Sequence, residues 1–133
     1  MNIEELADNF SLLDCWEDKY AYIIELGENL EPLGQELHTE EWKVRGCQSQ
    51  VWLVPNVCGG KIHFRGDSDA MIVKGLIAIV LMIYSDKKAQ EINEIAVDEI
   101  FAKLGLQEHL SPSRRNGLFS MVEKIKYYAG ALA

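Results

Sequence analysis

Residues 70–84 form an almost continuously apolar segment, which constrains the fold more than any other feature of the chain. The segment has only fifteen residues and includes Lys74 and Gly75, whereas a membrane span needs about 20 apolar residues. We therefore predict a helix buried in the core of a globular domain, with Gly75 at a position of close packing. Asp67 or Ser68 is predicted to cap the start of this helix.

Two alternating segments before this helix predict an antiparallel hairpin. Residues 50–57 alternate between apolar and polar side chains and are rich in β-branched and aromatic types, and residues 61–65 alternate again. Cys58-Gly59-Gly60 lies between them and predicts the turn. Residues 33–46 are predicted to form a loop with a short strand near residues 42–44.

Helical periodicity and capping residues account for the rest of the chain. The predicted helices are one capped by Asn2 with Ile3, Leu6, Phe10 and Leu13 on one face, one from Trp16 to about Leu30, one near Ala89–Ile95, one from Asp98 to Gly105, and one opened by Ser111 and Pro112. Helices on both sides of a small antiparallel sheet of two to three strands indicate an α+β fold. Residues 1–133 are predicted to be one domain, long enough to bury a core without disulfides or metal.

Composition narrows the classes of function. Hydrophobic residues make up 48% of the chain, which argues against global disorder. The formal net charge of −8 argues against a nucleic-acid partner, which would need a basic face, and fits a basic or otherwise complementary protein partner. Three cysteines without a framework spacing, together with an acidic start that is unlike a signal or transit peptide, indicate a cytoplasmic protein without a membrane anchor.

Cys47 is the candidate nucleophile of this chain. It lies in the polar stretch of residues 45–50, directly before the first predicted strand. Gly46 tolerates a sharp bend that would bring the cysteine to a loop tip. Lys43 and Arg45 are expected to lower the pKa of the thiol, although two glutamates nearby oppose this effect. The alternative is a cysteine that only packs as a small hydrophobe.

Nothing in the sequence places a second reactive group beside Cys47. A cysteine protease is disfavoured because it needs an imidazole to take the thiol proton. The remaining histidines and cysteines are interpreted as incidental; they are His38, His63, His109, Cys15 and Cys58. A zinc site formed by Cys47, Cys58, His63 and Asp67 lacks any recognisable ligand spacing. Trp16 and Trp52 are interpreted as core anchors.

Four segments, in order along the chain, resemble the SufE family of sulfur-acceptor proteins. They are Trp16-Glu17-Asp18-Lys19-Tyr20 with Ile24-Glu25-Leu26-Gly27, Arg45-Gly46-Cys47-Gln48-Ser49-Gln50-Val51-Trp52, Gly66-Asp67-Ser68-Asp69 with Ile72-Val73-Lys74-Gly75-Leu76, and Leu110-Ser111-Pro112-Ser113-Arg114 with Gly117-Leu118. The match spans almost the whole chain. It implies an α+β fold of the SufE and IscU type.

The resemblance implies a sulfur-transfer protein with a persulfide intermediate. Cys47 would accept sulfur from a SufS-type cysteine desulfurase, stimulate that enzyme as an accessory subunit, and pass the sulfur to an iron–sulfur scaffold complex. Pyridoxal phosphate (PLP) would belong to the desulfurase, because this chain is short and shows no cofactor lysine motif. No cofactor or metal is therefore expected on the chain itself.

The resemblance also implies roles for residues around Cys47. Arg45, Gly46 and Gln48 would form the loop that a partner contacts, with the sulfur shielded at rest and Gly46 as a hinge. Asp69 would hold the loop by bonding its amide groups. Arg114 would belong to the surface around the loop; a cation at a helix start opposes the helix dipole, which also favours a partner nearby. Arg115 is placed to share that role.

Two rival functions remain open at this point. One is a scaffold that assembles the cluster itself, which requires at least three metal ligands around Cys47. The other is a regulator that activates the desulfurase by binding alone. The sequence also leaves open the desulfurase paralogue, the final sulfur acceptor, and whether the free protein is a monomer or a homodimer.

Overall fold

The computed structural model describes residues 2–132, so Met1 and Ala133, the ends of the predicted domain, lie outside the described residues. Its elements are α1 (Ile3–Ser11), α2 (Trp16–Glu28), two 3-10 turns (Gln35–Leu37 and Glu40–Trp42), β1 (Val51–Cys58), β2 (Lys61–Ser68), α3 (Met71–Tyr84), α4 (Ala89–Glu94), α5 (Val97–Leu104), α6 (Leu106–His109) and α7 (Pro112–Leu132). The predicted α+β class is confirmed, since β1 and β2 form an antiparallel sheet flanked by helices. Within the described range, no helix is long and apolar enough to cross a membrane.

The hairpin forms as the alternation predicts. β1 and β2 pair from Val51 opposite Ser68 to Cys58 opposite Lys61. Gly59 and Gly60 both have positive φ, 61° and 80°, as the tight hairpin turn between such strands requires. The paired strands place the start of β1, where the candidate cysteine loop ends, beside the end of β2.

The predicted helix cap at Asp67 or Ser68 is wrong, because β2 runs through both residues. The alternation of buried and exposed side chains continues to Ser68, three residues beyond the predicted strand. The following helix, α3, instead begins at Met71 with Ala70 as its N-cap and no side-chain cap bond. The Ser68 hydroxyl accepts from the amide of Ala70, the N-cap itself, at 3.2 Å, and not from the first turn of α3.

Helix α3 is the buried core helix that its apolar sequence predicts. Its face from Leu76 to Tyr84 is largely buried, and it packs against α2, the sheet and α7. Gly75 and Gly27 lie where α2 and α3 approach most closely. A Cβ on Gly27 would lie 2.6 Å from the Gly75 nitrogen, and one on Gly75 would clash with the Ile23 carbonyl. The close-packing interpretation of Gly75 is therefore confirmed.

The first two helices are close to their predicted bounds. The Asn2 side chain caps α1 by accepting from the Glu5 amide at 2.9 Å, as predicted. Leu6 and Phe10 are buried on one face of α1, whereas Leu13 lies beyond its end. Helix α2 ends at Glu28, two residues before the predicted end.

The C-terminal helices match the prediction less evenly. Ser111 caps α7, since its hydroxyl accepts from the Arg114 amide at 3.3 Å. Gly105 ends α5 with a positive φ of 71°, as predicted. Asp98, however, lies inside α5, which begins at Val97. The short helix α6 was not predicted.

The segment before β1 forms two 3-10 turns and one bridge to the sheet in place of the predicted short strand. Lys43 pairs with Trp52 in an isolated bridge. The Val44 amide donates to the Val51 carbonyl at 2.8 Å. The chain is thus tied at Val44 and Val51, and residues 45–50 form the loop between these two points.

Candidate functional site

Residues 45–50, called here the Cys47 loop, bend sharply at Gly46 and lie against α7. Gly46 has a φ of +90°, which disfavours any residue with a side chain. A Cβ at Gly46 would also lie 2.6 Å from the Ser120 hydroxyl of α7. The backbone conformation therefore favours glycine here, and a larger residue would also force the Ser120 hydroxyl to rotate away.

The bend brings the Cys47 thiol down onto α7. Cys47 is half-buried, and its Sγ lies 3.6 Å from the Gly117 carbonyl oxygen, to which the thiol donates a weak hydrogen bond. A cleft of about 160 Å³, called here the Cys47 cleft, opens beside the sulfur. It is lined by Cys47, Gln48, Ser49, Val73, Leu76, Ser111, Ser113, Arg114, Gly117, Leu118 and Met121.

The expected lowering of the thiol pKa by neighbouring cations is wrong for the closed loop. Burial raises the pKa of Cys47, because the thiolate would lose its hydration. Lys43 and Arg45 instead pair with Glu40, at 3.7 and 3.5 Å, and the Arg45 side chain is 83% exposed. Burial therefore favours the thiol over the more nucleophilic thiolate while the loop is closed.

Asp69 anchors the end of the Cys47 loop. Its Oδ1 accepts from the Gln50 amide at 3.0 Å, and its own amide donates to the Gln50 carbonyl at 3.4 Å. The backbone bond lies directly beyond the last ladder pair, Val51 and Ser68, and the Asp69 carboxylate supplies the second acceptor in place of a backbone carbonyl. Asp69 does bond one loop amide, the kind of bond that the resemblance implies.

The remaining predicted site residues divide between two sides of the loop. Gln48 and Arg114 are exposed and line the Cys47 cleft. Arg45 lines a separate depression on the other side, which also includes Ser120. Arg115 does not share the position of Arg114, because its Nη1 donates to the Gln107 carbonyl at 3.2 Å.

The histidines lie away from the cleft and have partners of their own. His38 bonds Asp67 at 2.7 Å and the Gly34 carbonyl at 2.9 Å. His63 bonds Glu31 and Asp86, and His109 stacks on Trp16. Among residues 2–132, no group of three or more His, Cys, Asp or Glu side chains is arranged to hold a metal ion.

The other residues singled out in the sequence have structural or exposed positions. Cys15 precedes α2 and Cys58 ends β1, and both are exposed free thiols. Trp52 is 8% exposed in a small cluster with Leu33 and Val54, and Trp16 is half-buried against the main core.

Gly117 and Ser120 are the site residues that sequence reasoning did not assign to the loop. Both lie on the face of α7 that the loop covers, and both are small. The available signal was a glycine inside a helical pattern, which often marks a close contact. Nothing in the linear sequence joins Gly117 to a cysteine seventy positions earlier.

Comparisons with known proteins find relatives over most of the chain. The family model SufE, described as an Fe-S metabolism associated domain, matches residues 4–129. An uncharacterized SufE-like protein of Rhizobium meliloti is 50% identical over 129 residues, covering 94% of this chain and 92% of that protein. A SufE-like protein of Rhizobium etli is 51% identical, covering 94% and 87%. The solution structure of a hypothetical protein from Thermus thermophilus is 18% identical, with a TM-score of 0.77 over 97% of this chain and 93% of that one, and shows the same fold.

Proposed function

The chain belongs to the SufE family and has a role in iron–sulfur metabolism, and we propose that it is a sulfur acceptor whose carrier residue is Cys47. In this proposal, Cys47 takes sulfur from the persulfide of a SufS-type cysteine desulfurase. It then passes the sulfur to an iron–sulfur scaffold complex. The chain acts as an accessory subunit, and it stimulates the desulfurase by removing its product sulfur.

One observation carries the proposal: Cys47 lies on a bent loop that is tied at both ends, and its thiol rests on α7 beside an open cleft. The bend at Gly46 and the hydrogen bond from the Val44 amide to the Val51 carbonyl fix one end of the loop, and Asp69 fixes the other. A packing cysteine would be expected to be surrounded by core side chains. Cys47 packs against the core on one side, but it also has polar loop neighbours and an opening to solvent, as a thiol that must exchange a group requires.

The transfer step needs no redox partner and no additional catalytic group. The Cys47 thiolate attacks the outer sulfur of the desulfurase persulfide, forming a new S–S bond. The S–S bond of the donor breaks, and the donor cysteine leaves as a thiolate. The electron pair of the broken bond stays with that thiolate, so the products are a Cys47 persulfide and a free donor thiolate. The proton lost by Cys47 passes to solvent or to the leaving thiolate.

Loop opening would both expose and activate the sulfur. In the closed loop, burial raises the pKa of Cys47 and thereby reduces the thiolate fraction. Drawing the loop away from Gly117 returns the sulfur to water, where its pKa falls towards the ordinary value of about 8.5. The same movement lets it come within bonding distance of a persulfide on a partner. Contact with the desulfurase therefore switches on the nucleophile only where a donor is present.

The cofactor of this reaction belongs to the partner in our proposal. PLP on the desulfurase supplies the chemistry that releases sulfur from cysteine. The SufE chain contributes the accepting thiol and the surface around it, in which Arg45, Gln48 and Arg114 are exposed. No resident cofactor or metal is proposed for this chain.

A Cys47→Ser variant tests the carrier role against activation by binding alone. We expect wild-type protein to increase sulfide release by the desulfurase in the presence of cysteine and reductant, and Cys47→Ser to lose that increase. Cys58→Ser, which removes an exposed thiol outside the loop, should behave as wild type. Full stimulation by Cys47→Ser would instead identify the chain as a non-catalytic activator.

Metal analysis tests the scaffold alternative. A scaffold would hold iron or zinc stoichiometrically through Cys47, and Cys47→Ser would release it. We expect the purified protein to have the same low metal content in both forms. Stoichiometric metal that depends on Cys47 would favour the scaffold over the carrier.

A further inference from the structure

The side of α3 that faces away from Cys47 carries an apolar surface that sulfur transfer does not use. Val73, near the start of α3, lines the Cys47 cleft. Met82 lies nine residues later, which is about two and a half helical turns, so its side chain leaves α3 on the opposite side. A partner bound around Met82 would therefore leave the Cys47 loop uncovered.

Two depressions meet at Met82 and are together called here the α3 groove. The first, of about 420 Å³, lies between β2 and the ends of α2 and α3. The second, of about 250 Å³, lies between α1, α5 and the end of α3. Neighbouring apolar side chains that stay exposed mark interaction sites, and a methionine at the centre of such a surface adapts to its occupant. The walls of the groove are only partly buried against the core and include Leu26, Leu30, Leu81, Met82, Ile95 and Ile100.

The charge at the rim of the α3 groove changes sign across Met82. Glu31 and Asp86 border the first depression, where they bond the two ring nitrogens of His63 at 2.9 and 2.8 Å. Both carboxylates remain more than half exposed, and even a protonated His63 balances only one of them. Lys87 borders the second depression. The groove therefore has an acidic end and a basic end.

Hydrogen bonds to β2 hold Asp86 and Lys87 in these positions. The Asp86 amide donates to the Ile62 carbonyl at 2.8 Å, and the Ile62 amide donates to the Lys87 carbonyl at 2.9 Å. The Phe64 amide donates to the Ser85 hydroxyl at 2.9 Å. The edge of β2 beside the groove is thus already paired, so it is a poor template for an added strand. A helix, whose backbone bonds are internal, is the better occupant.

We propose that the α3 groove docks an amphipathic helix of a protein partner. Two apolar side chains one turn apart enter the two depressions, a lysine or arginine meets Glu31 and Asp86, and a carboxylate meets Lys87. A second copy of this chain is a poor occupant, because each copy carries a formal net charge of −8 and the two would repel. This inference goes beyond the proposed function, since docking here uses neither Cys47 nor sulfur.

Binding of designed peptides to the full chain tests the inference. The probe is a fluorescein-labelled helical peptide with leucines on one face, lysines towards one end and glutamates towards the other. A second peptide exchanges the lysines and glutamates, and a third replaces the leucines by serine. Fluorescence anisotropy measures the affinities. Each peptide is compared between protein variants, so differences in helicity between the peptides cancel.

The decisive variant is Glu31→Lys/Lys87→Glu, which reverses the charges of the groove and keeps the net charge. Its matched control, Glu108→Lys/Lys126→Glu, makes the same exchange outside the groove. We expect the groove variant to bind the original peptide about tenfold more weakly than wild type, and the exchanged peptide about tenfold more tightly. The control should match wild type with both peptides, and the serine peptide should bind to none of the proteins.

The gain of affinity for the exchanged peptide cannot come from unfolding, which would weaken the binding of both peptides. Glu31→Gln, a milder change, should already weaken binding of the original peptide. Equal affinities of wild type and the groove variants for each peptide would overturn the inference. So would undiminished binding of the serine peptide, or the absence of measurable binding to wild type.

Two further measurements exclude other occupants and other places. Cys47 alkylation should proceed at the same rate with and without the peptide, because the α3 groove lies on the other side of α3. Slower alkylation would place the peptide on the Cys47 loop and overturn the inference. A wild-type dimer in sedimentation equilibrium that Glu31→Lys/Lys87→Glu dissociates would assign the groove to a second copy and also overturn it.

Discussion

Burial dominates the chemistry of Cys47 at the scale of single residues. The sulfur rests on the Gly117 carbonyl, and the cations nearby on the chain are paired with Glu40 and do not lower its pKa. Because burial raises the pKa of Cys47, the closed loop stores a thiol, and access to solvent controls its reactivity. The bonds that hold the loop closed are therefore expected to set the rate at which Cys47 reacts.

Asp69 provides the most direct test of this control. Asp69→Ala removes the acceptor of the Gln50 amide, a bond of 3.0 Å whose loss costs about 1 kcal/mol. Opening of the loop should become about fivefold more frequent, and Cys47 alkylation should accelerate by a similar factor. Asp69→Asn keeps an acceptor oxygen and should stay close to wild type. Alkylation that does not change in Asp69→Ala would remove Asp69 from the control of the loop.

Arg114 and Arg115 should separate partner contact from stability. Arg114 is exposed at the cleft, so Arg114→Ala should change the free energy of unfolding by roughly 0.5 kcal/mol or less. It should nevertheless lower stimulation of the desulfurase. Arg115→Ala breaks the bond to the Gln107 carbonyl and should cost about 1 kcal/mol with less effect on stimulation. Denaturant unfolding measures the stability of both variants, and sulfide-release assays measure their stimulation of the desulfurase. A large loss of stability with normal stimulation in Arg114→Ala would contradict the prediction.

The sequence predicts the parts of the site that depend on local chemistry. The bend at Gly46 follows from a glycine in a polar loop, whereas the Asp69 bond was expected only from the family resemblance, since Asp69 and Gln50 are nineteen positions apart in the chain. The pKa of Cys47 could not be predicted, because it depends on burial by α7, which is seventy residues away in the chain. The contact between Gly46 and Ser120 is hidden in the sequence for the same reason.

At the scale of elements, the crossing of α2 and α3 fixes the core on which the site is built. Gly27 and Gly75 let the two backbones approach, and the α3 face beyond Gly75 reaches both the sheet and α7. α7 in turn carries the residues that the Cys47 loop covers. Disturbing this crossing should therefore affect stability first and the site only as a consequence.

Gly75→Ala tests the crossing. The added Cβ would meet the Ile23 carbonyl, which is backbone and cannot rotate away. Overpacking of this kind typically costs about 1–3 kcal/mol. The free energy of unfolding should therefore fall by an amount in that range. Gly130→Ala, where nothing lies within 4 Å, should leave it unchanged or slightly higher. Equal stability of the two variants in denaturant unfolding would contradict the close packing.

His38 ties the segment before the Cys47 loop to the sheet. Both of its ring nitrogens face acceptors, the Asp67 carboxylate at 2.7 Å and the Gly34 carbonyl at 2.9 Å. Only the protonated ring can donate to both at once. The bond to Asp67 is the main reason that the pKa of His38 is raised, with Glu36 adding to the effect, while Lys74 also pairs with Asp67.

This pairing predicts a dependence of stability on pH. A histidine with a raised pKa in the folded state contributes its full stabilisation below its unfolded pKa of about 6.5, and the contribution is lost as pH rises through the folded pKa. His63, whose pKa is raised by bonds to Glu31 and Asp86, acts in the same direction. The free energy of unfolding should therefore fall as pH rises above about 6.5, and less so in His38→Asn. An equal fall in wild type and His38→Asn would contradict the role of His38, and His63→Asn measured in parallel separates the second contribution.

The elements that follow strict periodicity were predictable, and those set by tertiary pairing were not. The hairpin, α3 and the Ser111 cap of α7 follow directly from alternation, apolar length and turn chemistry. The prediction of a helix cap at Asp67 or Ser68 was wrong because both residues still pair with β1. Their side chains are typical of a helix start, but the strand pairing decides their conformation. The bridge at Lys43 could not be predicted locally, because its partner, Trp52, lies in β1, nine residues further along the chain.

At the scale of the whole molecule, the proposal requires one sulfur to be reached by two partners in turn. The Cys47 loop is tied at one end by the bond between Val44 and Val51 and at the other by Asp69. One side of the loop lies against α7. Its exposed side is the route by which a donor and then an acceptor could meet the sulfur. The formal net charge of −8 gives the molecule an acidic surface that favours partners with basic or complementary faces.

Peptide mass mapping after incubation with a SufS-type desulfurase and cysteine tests the central claim most directly. The account predicts one added sulfur on the peptide that contains Cys47, removable by reductant, with Cys15 and Cys58 unmodified under the same conditions. Cys47→Ser should take up none, and Cys15→Ser/Cys58→Ser should take up as much as wild type. Sulfur distributed equally over the three cysteines, or persisting on Cys47→Ser, would contradict the account.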